Sequence, residues 1–320
     1  MEFLRFLEGI RNPVFDFFFS IITLCGEETV FMAVGLIVFW CVSKAQGYYL
    51  LCTGFFGTVI NQFLKIIIRV PRPWVLDPKF TAVESAKPAA SGYSFPSGHT
   101  QTSVGLFGGI ARANRNLPVI ILSIALCVLV PFSRMYLGVH TPDDVGASII
   151  IALFLVFVGY PLFMKAIERP PVMYLILAVL TLILTLYLVF INLYEFPPEV
   201  YLEENLHNLL SARKNGFTLM GCAFGFIVVY TADLLWIKFD TKAVWWVQII
   251  KVVGGLLLVL AVKELLKIPL NAVMPQFEDS LARLIRYFAV AVAGGVLWPL
   301  TFRLFNKLSA KTKKEKCKAH

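Results

Sequence analysis

The stretch HTPDDVGASIIIALFLVFVGYPLFM, residues 140–164, joins a polar, proline-containing start to a long apolar run. Its apolar part, 145–164, has the length that an α-helix needs to cross a bilayer, about 20 residues. Thr141 is suited to cap the helix, Pro142 to occupy its first position and Asp144 to lie in its first turn. The stretch therefore predicts a membrane helix whose polar start lies at one surface of the membrane.

The composition of the whole chain extends this interpretation. Hydrophobic residues make up 58% of the chain and charged residues only 15%. Such apolar sequences are typical of polytopic membrane proteins. Further apolar segments give about nine predicted spans, at 28–43, 47–68, 100–113, 117–132, 145–164, 172–193, 217–237, 244–262 and 285–303. The predicted fold class is an all-α, polytopic membrane helix bundle.

The predicted organisation has four parts. Residues 1–27 resemble an interfacial amphipathic segment, and 28–193 contain the polar motifs described below. Residues 194–305 add further transmembrane helices, beginning with an acidic loop at 194–216. The basic tail at 306–320 carries much of the net charge of +9. Such a tail beside a final span indicates contact with anionic lipid at the cytoplasmic face and not nucleic-acid binding.

Lysine and arginine also indicate the orientation of the spans. One side of the predicted membrane collects basic residues, namely Lys44, Arg112, Arg115, Lys165, Arg169, Lys238, Lys242 and the tail. The other side carries the glutamate-rich stretch YEFPPEVYLEENLHNLL, residues 194–210, and the long loop at 71–98. Because positive residues favour the cytoplasm, the loop is expected to be extracytoplasmic, that is periplasmic, extracellular or lumenal, and the C-terminus cytoplasmic.

Three polar clusters fall on that outer side. They are KIIIRVPRP at 65–73, PSGH at 96–99 and SRMYLGVHTPDD at 133–144. Since successive spans alternate in direction, the end of the second, the start of the third, the end of the fourth and the start of the fifth share one surface. A helix bundle is therefore able to bring the three clusters together.

Cations in these clusters are suited to bind an anion. Lys65 and Arg72 are seven residues apart and share a helix face if the helix persists, although Pro71 and Pro73 are expected to break it near Arg72. Arg134 adds a planar fork that binds phosphate oxygens through two hydrogen bonds. These three cations predict a site for a dianion.

The remaining polar residues supply a nucleophile and an acid. Ser97 and Gly98 begin a helix, whose free N–H groups favour an oxyanion. Asp144 is close enough in sequence to hold one ring nitrogen of His140, which leaves the other nitrogen free as a nucleophile. His99 is then placed to protonate the departing oxygen. Singly, each residue has a plain structural role, such as a boundary anchor or a turn, but their combination at these spacings indicates a site.

This pattern resembles the three-part signature of the type 2 phosphatidic acid phosphatase superfamily. That superfamily includes lipid phosphate phosphatases, undecaprenyl pyrophosphate phosphatases and glucose-6-phosphatases. The matching motifs, in order, are Lys65-x6-Arg72-Pro73, Pro96-Ser97-Gly98-His99 and Ser133-Arg134-x5-His140-x3-Asp144. The resemblance covers residues 65–144 and is specific for the superfamily but not for a substrate.

The resemblance implies a role for each matched residue. His140 would form a phosphohistidine, Asp144 would orient it and His99 would protonate the leaving alcohol. The phosphoryl group would be bound by the remaining matched residues, Lys65, Arg72, Ser97, Gly98 and Arg134. No cofactor and no metal are implied, because the cations already neutralise the charge of the phosphoryl group.

The expected function is that of a metal-independent membrane phosphatase acting on phosphate or diphosphate monoesters. A lipid phosphate is favoured as substrate, and a small sugar phosphate is the alternative. Transfer of the phosphoryl group to an acceptor alcohol leaves no short motif and stays open. An anion transporter or a lipid-binding scaffold is less favoured, because transporter sites lie near mid-bilayer. Expected partners are the phosphorylated substrate and membrane lipids, with no nucleic acid.

Glycine pairs in the later spans bear on self-association. They occur at Gly221 and Gly225, at Gly254 and Gly255, and at Gly294 and Gly295. Small residues at such spacing allow close helix packing, either within one chain or between copies in a homo-oligomer.

Overall fold

The computed structural model of the chain describes residues 1–201, 203–277 and 279–305. Every regular element in those ranges is helical, which confirms the predicted all-α class. The basic tail predicted at 306–320 lies outside the described residues. In chain order the α-helices are α1 Glu2–Gly9, α2 Pro13–Leu24, α3 Glu28–Ile37, α4 Lys44–Ile68, α5 Pro73–Leu76, α6 Gly98–Ala113, α7 Leu117–Tyr136, α8 Pro142–Phe157, α9 Gly159–Glu168, α10 Pro170–Leu193, α11 Glu203–Ala232, α12 Trp245–Val273 and α13 Leu281–Val292. One π-helical turn each extends α3, α11 and α13, at Val38–Val42, Asp233–Ile237 and Ala293–Leu297.

Each of the nine predicted apolar segments is helical, but the predicted number of spans is not confirmed. Within the described ranges six helical stretches are long and apolar enough to cross a membrane, Lys44–Leu76, Leu117–Tyr136, Pro142–Glu168, Pro170–Leu193, Asn205–Ile237 and Leu281–Phe305. A seventh arises if α2 and Glu28–Val42, bent by 49°, count as one span. The predicted segment 100–113 lies in α6, whose 16 residues reach about 24 Å, less than the ~30 Å hydrocarbon core.

The chain divides into two compact units. The first comprises residues 1–35, 48–169 and 189–212, and the second comprises 36–47, 170–188 and the described residues from 213 onward. All the residues predicted to form the site belong to the first unit. In that unit α6 packs against α7 and α8, and α1 and α2 pack against α7.

The predicted N-terminal segment, 1–27, consists of two helices and a turn. On α1, Leu4 and Leu7 are buried and pack with Phe80 of the long loop, whereas Phe6 is 63% exposed. α1 is therefore buried on one side and exposed on the other. The second helix, α2, begins at a side-chain cap formed by Asn12 and is mostly apolar, with Asp16 in its first turn. The N-terminus therefore holds the long loop in place besides exposing an apolar face.

The sequence allowed α4 either to persist to Arg72 or to break near it, and the helix breaks. The helix does not persist to Arg72: it ends at Ile68, and Arg69 adopts a left-handed conformation with φ of 54°. Arg72 has extended backbone and immediately precedes α5, which starts at Pro73. Because Pro71 and Pro73 both disfavour helix around Arg72, the chain turns before that residue.

The predicted acidic loop at 194–216 is shorter in the structure. A 3₁₀ turn covers Pro198–Tyr201, and α11 then begins at Glu203. Residues 203–216 are therefore the first turns of a 30-residue helix and not a connector. Leucines at 206, 209 and 210, spaced as on a helix face, account for this continuation.

Close packing of small residues holds the second unit together. A Cβ atom at Gly221 would collide with the carbonyl group of Leu284, and one at Gly255 would lie 2.6 Å from Trp298 Nε1. Trp40 Nε1 donates to the carbonyl oxygen of Gly294 over 2.9 Å. These glycines thus serve packing within the chain, one of the two interpretations that the sequence allowed.

Candidate active site

The PSGH motif forms the start of α6. Ser97 is the N-cap residue, and its Oγ accepts a hydrogen bond from Thr100 N over 3.4 Å. The backbone N of Ser97 donates to Asp144 O over 3.1 Å, and Asn61 Nδ2 of α4 donates to Pro96 O over 3.3 Å. The motif is therefore fixed to the start of α8 and to α4, and the helix start predicted from its sequence is confirmed.

His140 lies in a tight turn between α7 and α8. Gly138 provides the turn with a φ of +77°, a conformation that side chains with a Cβ atom disfavour. Val139 N donates to Arg134 O over 3.1 Å, and Gly138 N donates to Met135 O over 3.0 Å. The end of α7 is thereby folded back, and the His140 side chain is almost fully buried, with 2% exposed.

Asp144 links the start of α8 to His140. As predicted, Thr141 caps α8: its Oγ1 accepts from Asp144 N, and Asp144 Oδ2 accepts from Thr141 N over 2.8 Å. The same Oδ2 lies 3.4 Å from His140 Nδ1. The carboxylate is fully buried and faces the ring nitrogen that the sequence analysis assigned to it.

Ser94 is a neighbour of this pair that the sequence analysis did not single out. Its Oγ donates to Asp144 Oδ2 over 2.5 Å and lies 3.4 Å from His140 Nδ1. It is completely buried. Its position directly before Phe95-Pro96 and three residues before Ser97 was the only signal in the sequence, and a weak one, since a serine close to a motif is common in loops.

Arg72 spans the site. Its Nε donates to Gly92 O over 3.0 Å and its Nη2 donates to Ser91 O over 2.8 Å. Its Nη1 donates to Val139 O over 2.9 Å and lies 3.0 Å from His140 Nε2. Because an arginine N–H is only a donor, Nε2 is the acceptor, and the ring proton is on Nδ1, facing Asp144.

Lys65 lies beside the same loop. Its Nζ donates to the carbonyl oxygen of Tyr93, and the side chain is 9% exposed. Lys65 also lies within electrostatic range of Arg72, Arg134 and Asp144. Lys65 therefore belongs to the same cluster of cations as Arg72 and Arg134.

Arg134 is the most deeply buried of the three cations. It has no exposed surface, and its Nη1 donates to Thr23 Oγ1 of α2 over 2.7 Å. Its Nε and Nη2 have no hydrogen-bond acceptor among the described residues. The same holds for the buried Nε2 of His99, whose ring is within electrostatic range of Arg134 and His140. Buried polar atoms without a hydrogen-bond partner are rare in folded proteins and occur where a catalytic group, a ligand, an ion or a water is accommodated.

The site contains more positively than negatively charged side chains. Lys65 and Arg72 lie within electrostatic range of the buried carboxylate of Asp144, and both of them and Arg134 lie within range of His140. Burial, with the neighbouring charges of Arg72, Arg134 and Lys65, holds the pKa of His140 well below its usual range. The ring is therefore neutral, and the arrangement favours an incoming anion over a cation.

The structure brings together all eight residues that the sequence analysis selected, namely Lys65, Arg72, Ser97, Gly98, His99, Arg134, His140 and Asp144. It adds Ser94 and Thr23. Thr23 lies outside every motif, and no signal in the sequence distinguished it from other threonines in apolar helices. Within the described ranges no group of three His, Cys, Asp or Glu residues is arranged to hold a metal ion.

Comparison with protein families gives two matches. Residues 45–168 match the family described as PAP2 superfamily, and 217–312 match the family described as PAP2 superfamily phosphatase, transmembrane extension. The first match contains the three motifs of the site, and together the two matches cover most of the chain.

Individual proteins with similar sequences are phosphatases by name. The undecaprenyl-diphosphatase BcrC of Bacillus subtilis (strain 168) is 29% identical over 168 residues, which are 50% of this chain and 81% of that protein. A probable sphingosine-1-phosphate phosphatase of Dictyostelium discoideum is 29% identical over 160 residues, 46% of this chain and 38% of that protein.

Among solved structures, LpxE of Aquifex aeolicus has 23% sequence identity and a TM-score of 0.45, covering 50% of this chain and 93% of that chain. The predicted family and enzyme class are both confirmed by the family matches and the names of the related proteins. The chain is a member of the PAP2 superfamily of phosphatases.

Proposed function

We propose that the protein is a membrane phosphatase that hydrolyses lipid phosphates or diphosphates through a phosphohistidine formed on His140. One observation carries this proposal: buried nitrogens of Arg134 and His99 that have no hydrogen-bond partner among the described residues lie in the same cluster as a neutral His140. Donors on Arg134 match the oxygens of a phosphoryl group, and a neutral imidazole is a nucleophile.

In the first step, His140 Nε2 attacks phosphorus while the bond between phosphorus and the ester oxygen breaks. His99 gives a proton to that oxygen, and the dianion itself supplies the negative charge that stabilises an imidazolium at His99. Asp144 stabilises the positive charge that develops on the His140 ring. In the second step, His99 takes a proton from water, which attacks phosphorus and releases His140.

Binding of the phosphoryl group is assigned to Lys65, Arg72, Arg134 and the start of α6 at Ser97 and Gly98. These residues supply the positive charge that stabilises the transition state, so the proposed reaction uses no metal or other cofactor. Residues 28–193 are proposed to carry the chemistry, with 194–305 as an additional membrane region.

A lipid substrate is favoured over a soluble one by the position of the site. Lys65, Arg134 and Asp144 lie near the ends of α4, α7 and α8, which belong to helical stretches long and apolar enough to cross a membrane, and Ser97 and His99 lie at the start of the shorter α6. Side chains such as Ile150 and Phe154 on α8 are 70% and 60% exposed, as expected for surfaces that contact lipid. The related proteins named for undecaprenyl diphosphate and sphingosine 1-phosphate agree with this class of substrate.

The test is phosphate release by the purified protein in chelator. The substrates are phosphatidate, sphingosine phosphate, a polyprenyl diphosphate and glucose 6-phosphate. We expect release from a lipid substrate, loss of release in His140→Ala, and unchanged release in His207→Ala, which changes an exposed histidine on α11. Equal release by wild type and His140→Ala would refute the mechanism. Faster release from glucose 6-phosphate than from every lipid would refute the substrate class.

The site is proposed to face the extracytoplasmic side, with the C-terminus in the cytoplasm. The lysine and arginine distribution supports this orientation. Sealed vesicles of known sidedness, given a membrane-impermeant phosphate ester, test it: right-side-out vesicles should release phosphate without detergent, and inside-out vesicles only after detergent is added. The reverse result would reverse the proposed orientation.

A further inference from the structure

We infer that Thr23, outside the matched motifs, is a positioning residue that orients Arg134 towards the phosphoryl group. The inference rests on the proposed function. It starts from the hydrogen bond that Arg134 Nη1 donates to Thr23 Oγ1 over 2.7 Å. Both side chains are buried, with 7% of Thr23 and none of Arg134 exposed. The hydroxyl oxygen is the sole acceptor of the guanidinium among the described residues.

The identity of the Arg134 nitrogen that contacts Thr23 decides which donors remain for a phosphate. Nη1 is the amino group on the same side as Cδ, so the donors left over are Nε and Nη2, which lie together on the other edge of the planar group. That edge is one of the forks with which arginine holds two oxygens of a phosphate. By holding Nη1, Thr23 therefore fixes the plane of the guanidinium and leaves the fork available.

Thr23 itself is held by the corner between α2 and α3. Its carbonyl oxygen accepts from Gly26 N over 2.9 Å, which closes the turn. A Cβ atom added to Gly26 would lie 2.8 Å from His99 O and 2.8 Å from Val130 Cγ1. The corner thus lies directly against the backbone of His99 and against α7, the helix that carries Arg134. The bent N-terminal helices consequently form one wall of the site, which the motifs alone do not define.

Buried hydrogen bonds also stabilise folded proteins without any part in a reaction, so the experiment must separate the two roles. Thr23→Val keeps the shape and removes the acceptor. Thr23→Ser keeps the acceptor and removes a methyl group. Thr181→Val is the control, because the Thr181 hydroxyl donates to the carbonyl oxygen of Leu177 on its own helix and not to Arg134. Arg134→Lys supplies a background without a fork to orient.

We expect Thr23→Val to lower kcat about 10- to 100-fold with KM changed less than about threefold, as for loss of a hydrogen bond to a charged group. Its affinity for vanadate, measured by thermal shift, should fall by a similar factor. Thr23→Ser should stay within about threefold of wild type, and Thr181→Val should be unchanged. When Thr23→Val is added to Arg134→Lys, kcat should fall little further.

The inference would be overturned if folded Thr23→Val kept the kcat of wild type. It would also be overturned if Thr23→Val lowered kcat by the same factor in the wild-type and the Arg134→Lys backgrounds. If Thr23→Val does not fold, Thr23→Cys gives the same readouts, because sulfur is a weak acceptor of similar size. Failure of the proposed function is separate: wild type would then release no phosphate from any substrate. The vanadate measurement would still report whether Thr23 affects oxyanion binding.

Discussion

Arg72 and His140 contact each other through Nη1 and Nε2, which are 3.0 Å apart. The arginine is held by the backbone carbonyl groups of Ser91, Gly92 and Val139, so its position does not depend on the histidine. The donor that now contacts Nε2 is therefore close enough to donate to the oxygens of a phosphoryl group bonded to Nε2. Phosphate binding and nucleophilic attack are in this way assigned to adjacent atoms.

Replacement of Asp144 tests the orientation of that histidine. We expect Asp144→Asn to lower kcat by about 10²-fold or more, because the amide offers no charge to stabilise the developing imidazolium. Asp143→Asn is the matched control, since Asp143 is the exposed neighbour in the same turn. Steady-state phosphate release measures both. Comparable activity of the two variants would contradict the role proposed for Asp144.

Ser94 should contribute through Asp144. Removing the hydroxyl in Ser94→Ala takes one hydrogen bond from the carboxylate, a loss of about 1.5–3 kcal/mol for a charged partner. We expect kcat to fall roughly 10-fold or more if that loss is expressed in the transition state. Ser91→Ala serves as control, because Ser91 contacts Arg72 only through its backbone oxygen. An unchanged kcat in Ser94→Ala would limit Ser94 to a structural role.

The pH profile depends on the lowered pKa of His140. An ordinary histidine has a pKa of about 6.5 and becomes protonated, and so loses its nucleophilic form, as the pH falls below that value. Since burial and nearby cations lower the pKa of His140, it stays neutral well below pH 6.5. The acid limb of kcat/KM, which reports the free enzyme, should therefore not begin near 6.5 through His140. Measurement from pH 4 to 9 checks this, using Asp143→Asn for comparison. If kcat/KM of wild type instead falls as the pH drops below about 6.5, and if the midpoint of that fall shifts in Asp144→Asn, the pKa of His140 is ordinary.

Two glycines with left-handed backbone provide a stability test. Gly92 has φ of +74° and Gly138 has φ of +77°. Alanine at either position adopts a conformation that costs about 1–2 kcal/mol. At Gly138 the added Cβ atom would also lie 2.5 Å from Arg11 Nη2 and 2.9 Å from Phe80, whereas at Gly92 no atom of the described residues lies within 4 Å. Gly138→Ala should therefore lower the thermal unfolding temperature in detergent by several degrees more than Gly92→Ala. Equal shifts would mean that the Arg11 and Phe80 side chains move aside at no cost.

The sequence predicted the site better than the membrane architecture. Hydropathy located the apolar helices from α3 onward but left α2 out of the predicted spans, and it did not distinguish a helix of spanning length from the 16 residues of α6, since the apolarity of a segment does not report where its helix ends. The helix start at Ser97 and the cap at Thr141 were predictable, because local hydrogen bonds determine them. The left-handed residue Arg69, which ends α4 before Arg72, was not.

Residue types and spacing alone determined the helical class, the family and the eight motif residues, because membrane burial and phosphate chemistry both restrict which residues are usable. Only the tertiary structure revealed Ser94 on Asp144, Thr23 on Arg134 and Gly26 against His99. Those contacts join residues far apart in the chain, and their geometry depends on how the helices pack. Packing of this kind leaves no periodic or local pattern in a single sequence.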